Sequence, residues 1–210
     1  MAQGQRLEQY EWCQMWREEA DKQDLPRILL IGDSITNGYH PFVQEQLRGL
    51  AYVDKLVTSK AIDNAVLLKE IDYMLMHGED YVYQIIHFNN GLHGWHVPLE
   101  EYKESLDSVI QYIQSLSKAK IVVATSTQVT TKGEHGKIDH DKNDRVIDRN
   151  RAASEVAVKH GLTITDLYTP MYGRSDYRVA DPEDLYHFNE QGQRAQAVLV
   201  SAILKQFLSS

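Results

Sequence analysis

The chain has 210 residues, 42% of them hydrophobic and 25% charged, and carries a formal net charge of −8. That length and apolar share suit one α/β domain spanning residues 1–210, while the acidity repels a phosphate backbone and sets nucleic acid aside as a partner. Cys13, the only cysteine, excludes an intrachain disulfide and a cysteine-based metal centre.

The opening residues, "MAQGQRLEQYEWCQMWREEADKQ", are charged throughout and lack the apolar stretch of an export signal. No run elsewhere approaches the roughly 20 apolar residues of a membrane span. The expectation is a cytoplasmic protein with no membrane partner, in which residues 1–24 form an N-terminal helical extension and Cys13 packs beside Trp12 and Trp16.

Short β-rich segments follow, separated by amphipathic stretches. Strands are predicted at 27–32 (RILLIG), 51–58 (AYVDKLVT), 82–88 (VYQIIHF), 120–126 (KIVVATS) and 162–168 (LTITDLY). Helices are predicted at 63–77, 99–116, 145–159 and 190–208, from apolar residues recurring every three or four positions, such as Tyr102, Leu106, Val109, Ile110 and Ile113. This alternation builds parallel βαβ units. The expected fold is therefore α/β, a three-layer doubly wound structure with a five-stranded parallel sheet in flavodoxin-like strand order. Ligands of such sheets bind beyond the carboxyl ends of the strands, so the loops after Gly32, Thr58, Phe88, Ser126 and Tyr168 are where chemistry is expected.

Three stretches carry suitable residues. Gly32-Asp33-Ser34 ends the first strand, which delivers Ser34 to a sharp turn at a helix N-terminus. It serves there either as a nucleophile beside free backbone N–H groups or as a helix cap. Asp184 and His187 stand three residues apart in "DLYH", a spacing at which a local turn brings a carboxylate against an imidazole. "FNNG" at 88–91 leaves the central strand with two asparagines, either as turn formers or as donors to an oxyanion.

Together, "GDS" at 32–34, the Asn of "FNNG" and "DLYH" at 184–187 resemble the SGNH (GDSL-like) hydrolases, in an order that covers about residues 27–208. The resemblance implies a serine esterase without metal or cofactor. Ser34 is then the nucleophile, His187 the general base and acid, and Asp184 the residue that orients His187. It also implies an oxyanion hole from the Ser34 backbone N–H, the Asn90 side chain and a backbone N–H after the second strand. Asn90 is preferred to Asn89 by overlay on the family's GxND pattern, from which Phe88 and Gly91 depart. The second strand's exit, "VTSKAID", has no glycine, so the third donor falls to the backbone of Ala61 or Ser59.

Asp33, His93 and Trp95 are candidate substrate contacts, the indole offering a face on which a sugar ring stacks. His87, His93 and His96 crowd one loop, but their spacing matches no standard zinc pattern and no metal is expected. The polar segment 131–145 reads as a solvated loop. Arg174 and Arg178 either bind a substrate carboxylate or pair with Asp176, Asp181 or Glu183. The leading expectation is hydrolysis of a small acyl ester, foremost an O-acetyl group on a carbohydrate. The alternative is a catalytically weak or inactive carbohydrate-binding member of the same fold.

Overall fold

The computed structural model describes residues 7–76 and 82–208, with His135 described by its backbone only. In chain order the elements are β1 (Cys13–Trp16), β2 (Arg27–Gly32), α1 (Ser34–Leu47), β3 (Tyr52–Thr58), α2 (Ala65–Met76), β4 (Tyr83–Phe88), α3 (Leu99–Leu116) and β5 (Lys120–Ala124). They continue with β6 (Thr130–Thr131), β7 (Glu134–Ile138), α4 (His140–Lys159), β8 (Thr163–Thr165), α5 (Tyr168–Met171) and α6 (Glu190–Leu208).

Five strands run parallel in the order β3-β2-β4-β5-β8, which is second, first, third, fourth and fifth along the chain. This is the flavodoxin-like order, and its direction reverses at β2. Alternation along each strand divides the core in two. Leu29, Ile31, Ile86, Phe88, Ile121 and Val123 pack with Leu67, Ile71 and Met74 of α2 and with Leu106, Ile110 and Ile113 of α3. Ile28, Leu30, Ile85, Val122 and Ala124 pack instead with Tyr39, Val43 and Leu47 of α1 and Ala197, Val200 and Leu204 of α6. Strands covered on both faces read as continuous apolar runs, which is why "RILLIG" is buried at every position.

The N-terminal helix is corrected. Residues 1–6 lie outside the described part, and Cys13–Trp16 form a sixth strand, antiparallel to β3, with Cys13 exposed rather than packed in a helix. The edge of β3 offers unpaired N–H and C=O groups, and satisfying them outweighs local helix preference. The buried Arg27 guanidinium holds the following turn by donating to the carbonyls of Glu18, Glu19 and Lys22 while pairing with Asp54 at 3.1 Å.

Two further segments differ from expectation. Residues 130–138 form the β6–β7 hairpin rather than a solvated loop. α4 begins at His140 because Asp139 caps it, accepting from the backbone N–H of Lys142 at 3.0 Å, a signal that hydrophobic periodicity does not carry.

Candidate active site

β2 carries the chain to the switch point and stops at Gly32. A Cβ there would lie 2.0 Å from the Thr36 hydroxyl, so only glycine lets the first turn of α1 pack over the strand end. The cap of α1 is Asp33, whose carboxylate accepts from the backbone N–H of Ile35 at 2.9 Å. Asp33 is buried in that role, which corrects its assignment as a substrate contact. Ser34 is the first residue of the helix, half-buried, and its hydroxyl is spared from capping.

The hydroxyl meets His187. Nε2 of the imidazole lies 2.7 Å from Ser34 Oγ, and Nδ1 lies 2.7 Å from Asp184 Oδ2. An ionised carboxylate only accepts, so the ring proton sits on Nδ1 and Nε2 is left to accept from the serine O–H. Asp184 Oδ1 also accepts from the backbone N–H groups of Tyr186 and His187, each at 2.9 Å. Burial pushes the carboxyl pKa up, but these hydrogen bonds outweigh it and hold Asp184 below the usual carboxylate value. The His187 side chain is 42% exposed, so the pair faces solvent.

Buried neighbours hold this loop. Arg178 donates to the carbonyls of Tyr186 at 2.8 Å and Gln128 at 2.7 Å, its guanidinium 4.3 Å from the centre of the Phe188 ring. The Thr130 backbone N–H donates to the Leu185 carbonyl, and that of Gly133 to the Pro182 carbonyl, so the β6–β7 hairpin braces the same segment. Arg178 is 5% exposed and committed to carbonyls, not to a substrate carboxylate, while Arg174 pairs with Asp176 through contacts of 3.0 and 2.7 Å.

The two asparagines after β4 part company. Asn89 is buried and donates to the Ala124 carbonyl at 2.9 Å and to Ser126 Oγ at 3.2 Å, which uses both amide hydrogens. Asn90 is half-buried and gives one hydrogen to the Lys60 carbonyl at 2.9 Å, leaving the other. After β3 the Ser59 N–H donates to the Trp12 carbonyl and the Lys60 N–H to the Thr58 hydroxyl, whereas Ala61 is buried beneath Gly94.

His93 is partly exposed beside Glu8 and Trp12. Trp95 lies against α4, with the guanidinium carbons of Arg145 and Arg149 at 5.1 and 5.2 Å from its ring centre, so part of the aromatic surface that a sugar would use is taken by protein. His87 is fully buried and His96 pairs with Asp63 at 3.3 Å. Among the described residues no group of three His, Cys, Asp or Glu side chains is arranged to hold a metal ion. His140 is exposed at the start of α4, and the side chain of His135 lies outside the described part.

The sequence reading missed Arg149 and gave Tyr102 only a place on the apolar face of α3, and the two grip the Asn90 loop from behind. Arg149 was readable as a charged residue three positions from both Val146 and Ala152 on the buried face of α4.

The GDSL-like lipase/acylhydrolase family matches residues 30–195, which include Ser34, Asn90, Asp184 and His187. The chain belongs to this family. As a GDSL hydrolase it acts on ester bonds, and solved relatives share its fold. An acetyl xylan esterase, AlAXEase, is 17% identical with a TM-score of 0.63, over 85% of this chain and 99% of that one. The aryl esterase of M. smegmatis is 12% identical with a TM-score of 0.66, over 87% and 99%. The C-terminal catalytic domain of Streptococcus pneumoniae peptidoglycan O-acetyltransferase A is 17% identical with a TM-score of 0.62, over 88% and 96%. No curated protein sequence matches the GDSL hydrolase chain. Among its described residues no helix is long and apolar enough to cross a membrane.

Proposed function

We propose that this GDSL hydrolase is a serine esterase working through an acyl-enzyme, with Ser34 as nucleophile, His187 as general base and acid, and Asp184 as the residue that orients the imidazole. The observation that carries the reading is the continuous chain of contacts from Asp184 through His187 to the Ser34 hydroxyl. Ser34 Oγ attacks the ester carbonyl as its proton passes to Nε2 of His187. The oxyanion accepts from the backbone N–H of Ser34, the remaining amide hydrogen of Asn90 and the backbone N–H of Ala61, the donor left when Ser59 and Lys60 are spoken for. His187 then protonates the departing alcohol, and water, deprotonated by the same nitrogen, releases the acyl group as a carboxylic acid.

For substrate we propose a small acyl ester, foremost an O-acetyl group on a carbohydrate. A solvent-facing Ser34–His187 pair leaves room for a bulky polyol on the alcohol side, and a structural relative is an acetyl xylan esterase. The test is labelling of Ser34 by a fluorophosphonate in the intact protein, together with acetate release from a panel of acetylated sugars and short p-nitrophenyl esters. Labelling and turnover, both absent in Ser34→Ala, are expected. A protein that neither labels nor turns over, yet binds an acetylated sugar, is the non-catalytic alternative.

A further inference from the structure

A single buried cation organises the loop that leads away from Asn90. Arg149 projects from α4 and is 3% exposed. Its guanidinium donates to the carbonyls of Gly91 at 3.1 Å and His93 at 2.7 Å, to that of Gly94, and more distantly to that of Val97 at 3.5 Å. The guanidinium carbon lies 5.2 Å from the ring centre of Trp95 and 4.9 Å from that of Tyr102. The Tyr102 hydroxyl in turn donates to the backbone carbonyl of Asn90 at 2.7 Å.

A guanidinium stays charged inside a protein, so its burial requires compensation, and here its hydrogen bonds go to carbonyl dipoles. The dependence runs both ways. Carbonyl oxygens converging on one point repel each other unless a cation sits among them, so Arg149 stabilises the shape of residues 91–97, alongside the Arg145 contact to the Trp95 carbonyl and the Gly94 N–H bond to Glu8. Gly91 adds a close approach: a Cβ there would lie 2.0 Å from Ser126 Oγ, which leaves the backbone beside Asn90 no slack on that side. Asn90 is therefore fixed through its own carbonyl by Tyr102, through the next residue by Arg149, and through its side chain by Lys60.

We propose that Arg149, assisted by Tyr102, is a positioning residue for ester hydrolysis: by templating residues 91–97 it aims the remaining amide hydrogen of Asn90 at the developing oxyanion. This rests on the reading above that Asn90 is an oxyanion donor. Lysine keeps the charge but lacks the planar fork that reaches several carbonyls, so Arg149→Lys separates the two properties.

The experiment is a double-mutant cycle with p-nitrophenyl acetate, combining Arg149→Lys or the milder Tyr102→Phe with Asn90→Ala. Loss of one oxyanion donor lowers turnover about 10²- to 10³-fold, so Arg149→Lys, which misaims rather than removes it, is expected to lower kcat roughly 10- to 10²-fold. KM should change by less than about threefold, because misaiming acts on the transition state and not on ground-state binding. In the Asn90→Ala background neither second substitution should cost more than about threefold. Equal losses in both backgrounds, or a loss carried by KM, overturn the positioning role while leaving the esterase reading intact. Should wild type neither turn over nor label at Ser34, the esterase reading fails separately. The templating itself is read separately from the Asn90 side-chain amide resonances, and unshifted signals in folded Arg149→Lys would overturn it whatever the activity of the wild type.

Discussion

Nε2 of His187 lies 2.7 Å from the hydroxyl of Ser34, a residue 153 positions earlier in the chain. Neither residue is placed by the other. Ser34 is delivered by a buried strand and a helix whose cap is Asp33, and His187 by a turn folded around the Asp184 carboxylate. The two halves are built independently and meet at the switch point of the sheet, so each can be weakened without dismantling the other.

Asp184→Asn tests the His187 half. An amide in this place no longer dictates an Nδ1–H tautomer, and on the proposed mechanism kcat should fall by up to about 10⁴. Stability changes too. The folded-state pKa of Asp184 is lowered, so the carboxylate adds stability that is full above its unfolded value of 3.8 and disappears as pH drops through the folded value. Urea midpoints of wild type and Asp184→Asn should differ at pH 7 and draw together once the pH is well below 3.8. A constant gap at both pH values would contradict this account.

Acid should also unfold the protein through two buried histidines that are not part of the Asp184–His187–Ser34 chain. His87 and His40 are buried, and burial pushes each pKa from 6.5 down to about 4, partly offset at His40 by its hydrogen bond to the Val53 carbonyl. Both are neutral in the fold, so the unfolded chain binds more protons below pH 6.5. Stability then drains away between about pH 6.5 and 4, by up to ~3 kcal/mol per imidazole. Both ring nitrogens of His87 lack hydrogen-bond partners among the described residues, so His87→Leu should keep neutral-pH stability and flatten the acid limb. Denaturant melts at pH 7, 5.5 and 4 check this, and an unchanged acid limb in the variant would remove His87 from the account.

Arg178 read in the sequence either as a receptor for a substrate carboxylate or as a partner of Asp176, Asp181 or Glu183, and in the fold it braces the carbonyls of Tyr186 and Gln128. Arg178→Lys should accordingly lower kcat for neutral and acidic esters alike, by about tenfold, as the His187 turn loosens. Comparing an acetylated neutral sugar with an acetylated uronic acid distinguishes the two roles. A loss confined to the acidic substrate would restore the receptor reading.

What could be read from the sequence follows from the range of the forces involved. "RILLIG" declared itself because a strand covered on both faces is apolar along nearly all of its length, and "DLYH" because its hydrogen bonds close within four residues. "CQMW" did not, since its strand depends on an edge supplied by β3 about forty residues later. Arg178 and Arg149 were harder still: their partners are backbone carbonyls, which every residue possesses, so only the folded chain reveals which ones converge.

The neighbouring asparagines give the sharpest division between fold and chemistry. Asn89 spends both amide hydrogens on the Ala124 carbonyl and Ser126 Oγ, tying β4 to the end of β5. Its replacement by alanine strands those acceptors in a buried place and should cost about 1–3 kcal/mol of stability. Asn90 keeps one hydrogen uncommitted, and Asn90→Ala should leave the thermal transition within a few degrees of wild type while kcat drops about 10²- to 10³-fold. Measuring melting temperature and p-nitrophenyl acetate turnover for both variants separates the roles, because each substitution moves a different readout. The reverse pattern, a folded but inactive Asn89→Ala beside an active Asn90→Ala, would transfer the oxyanion donor to Asn89 and take the Arg149 inference down with it.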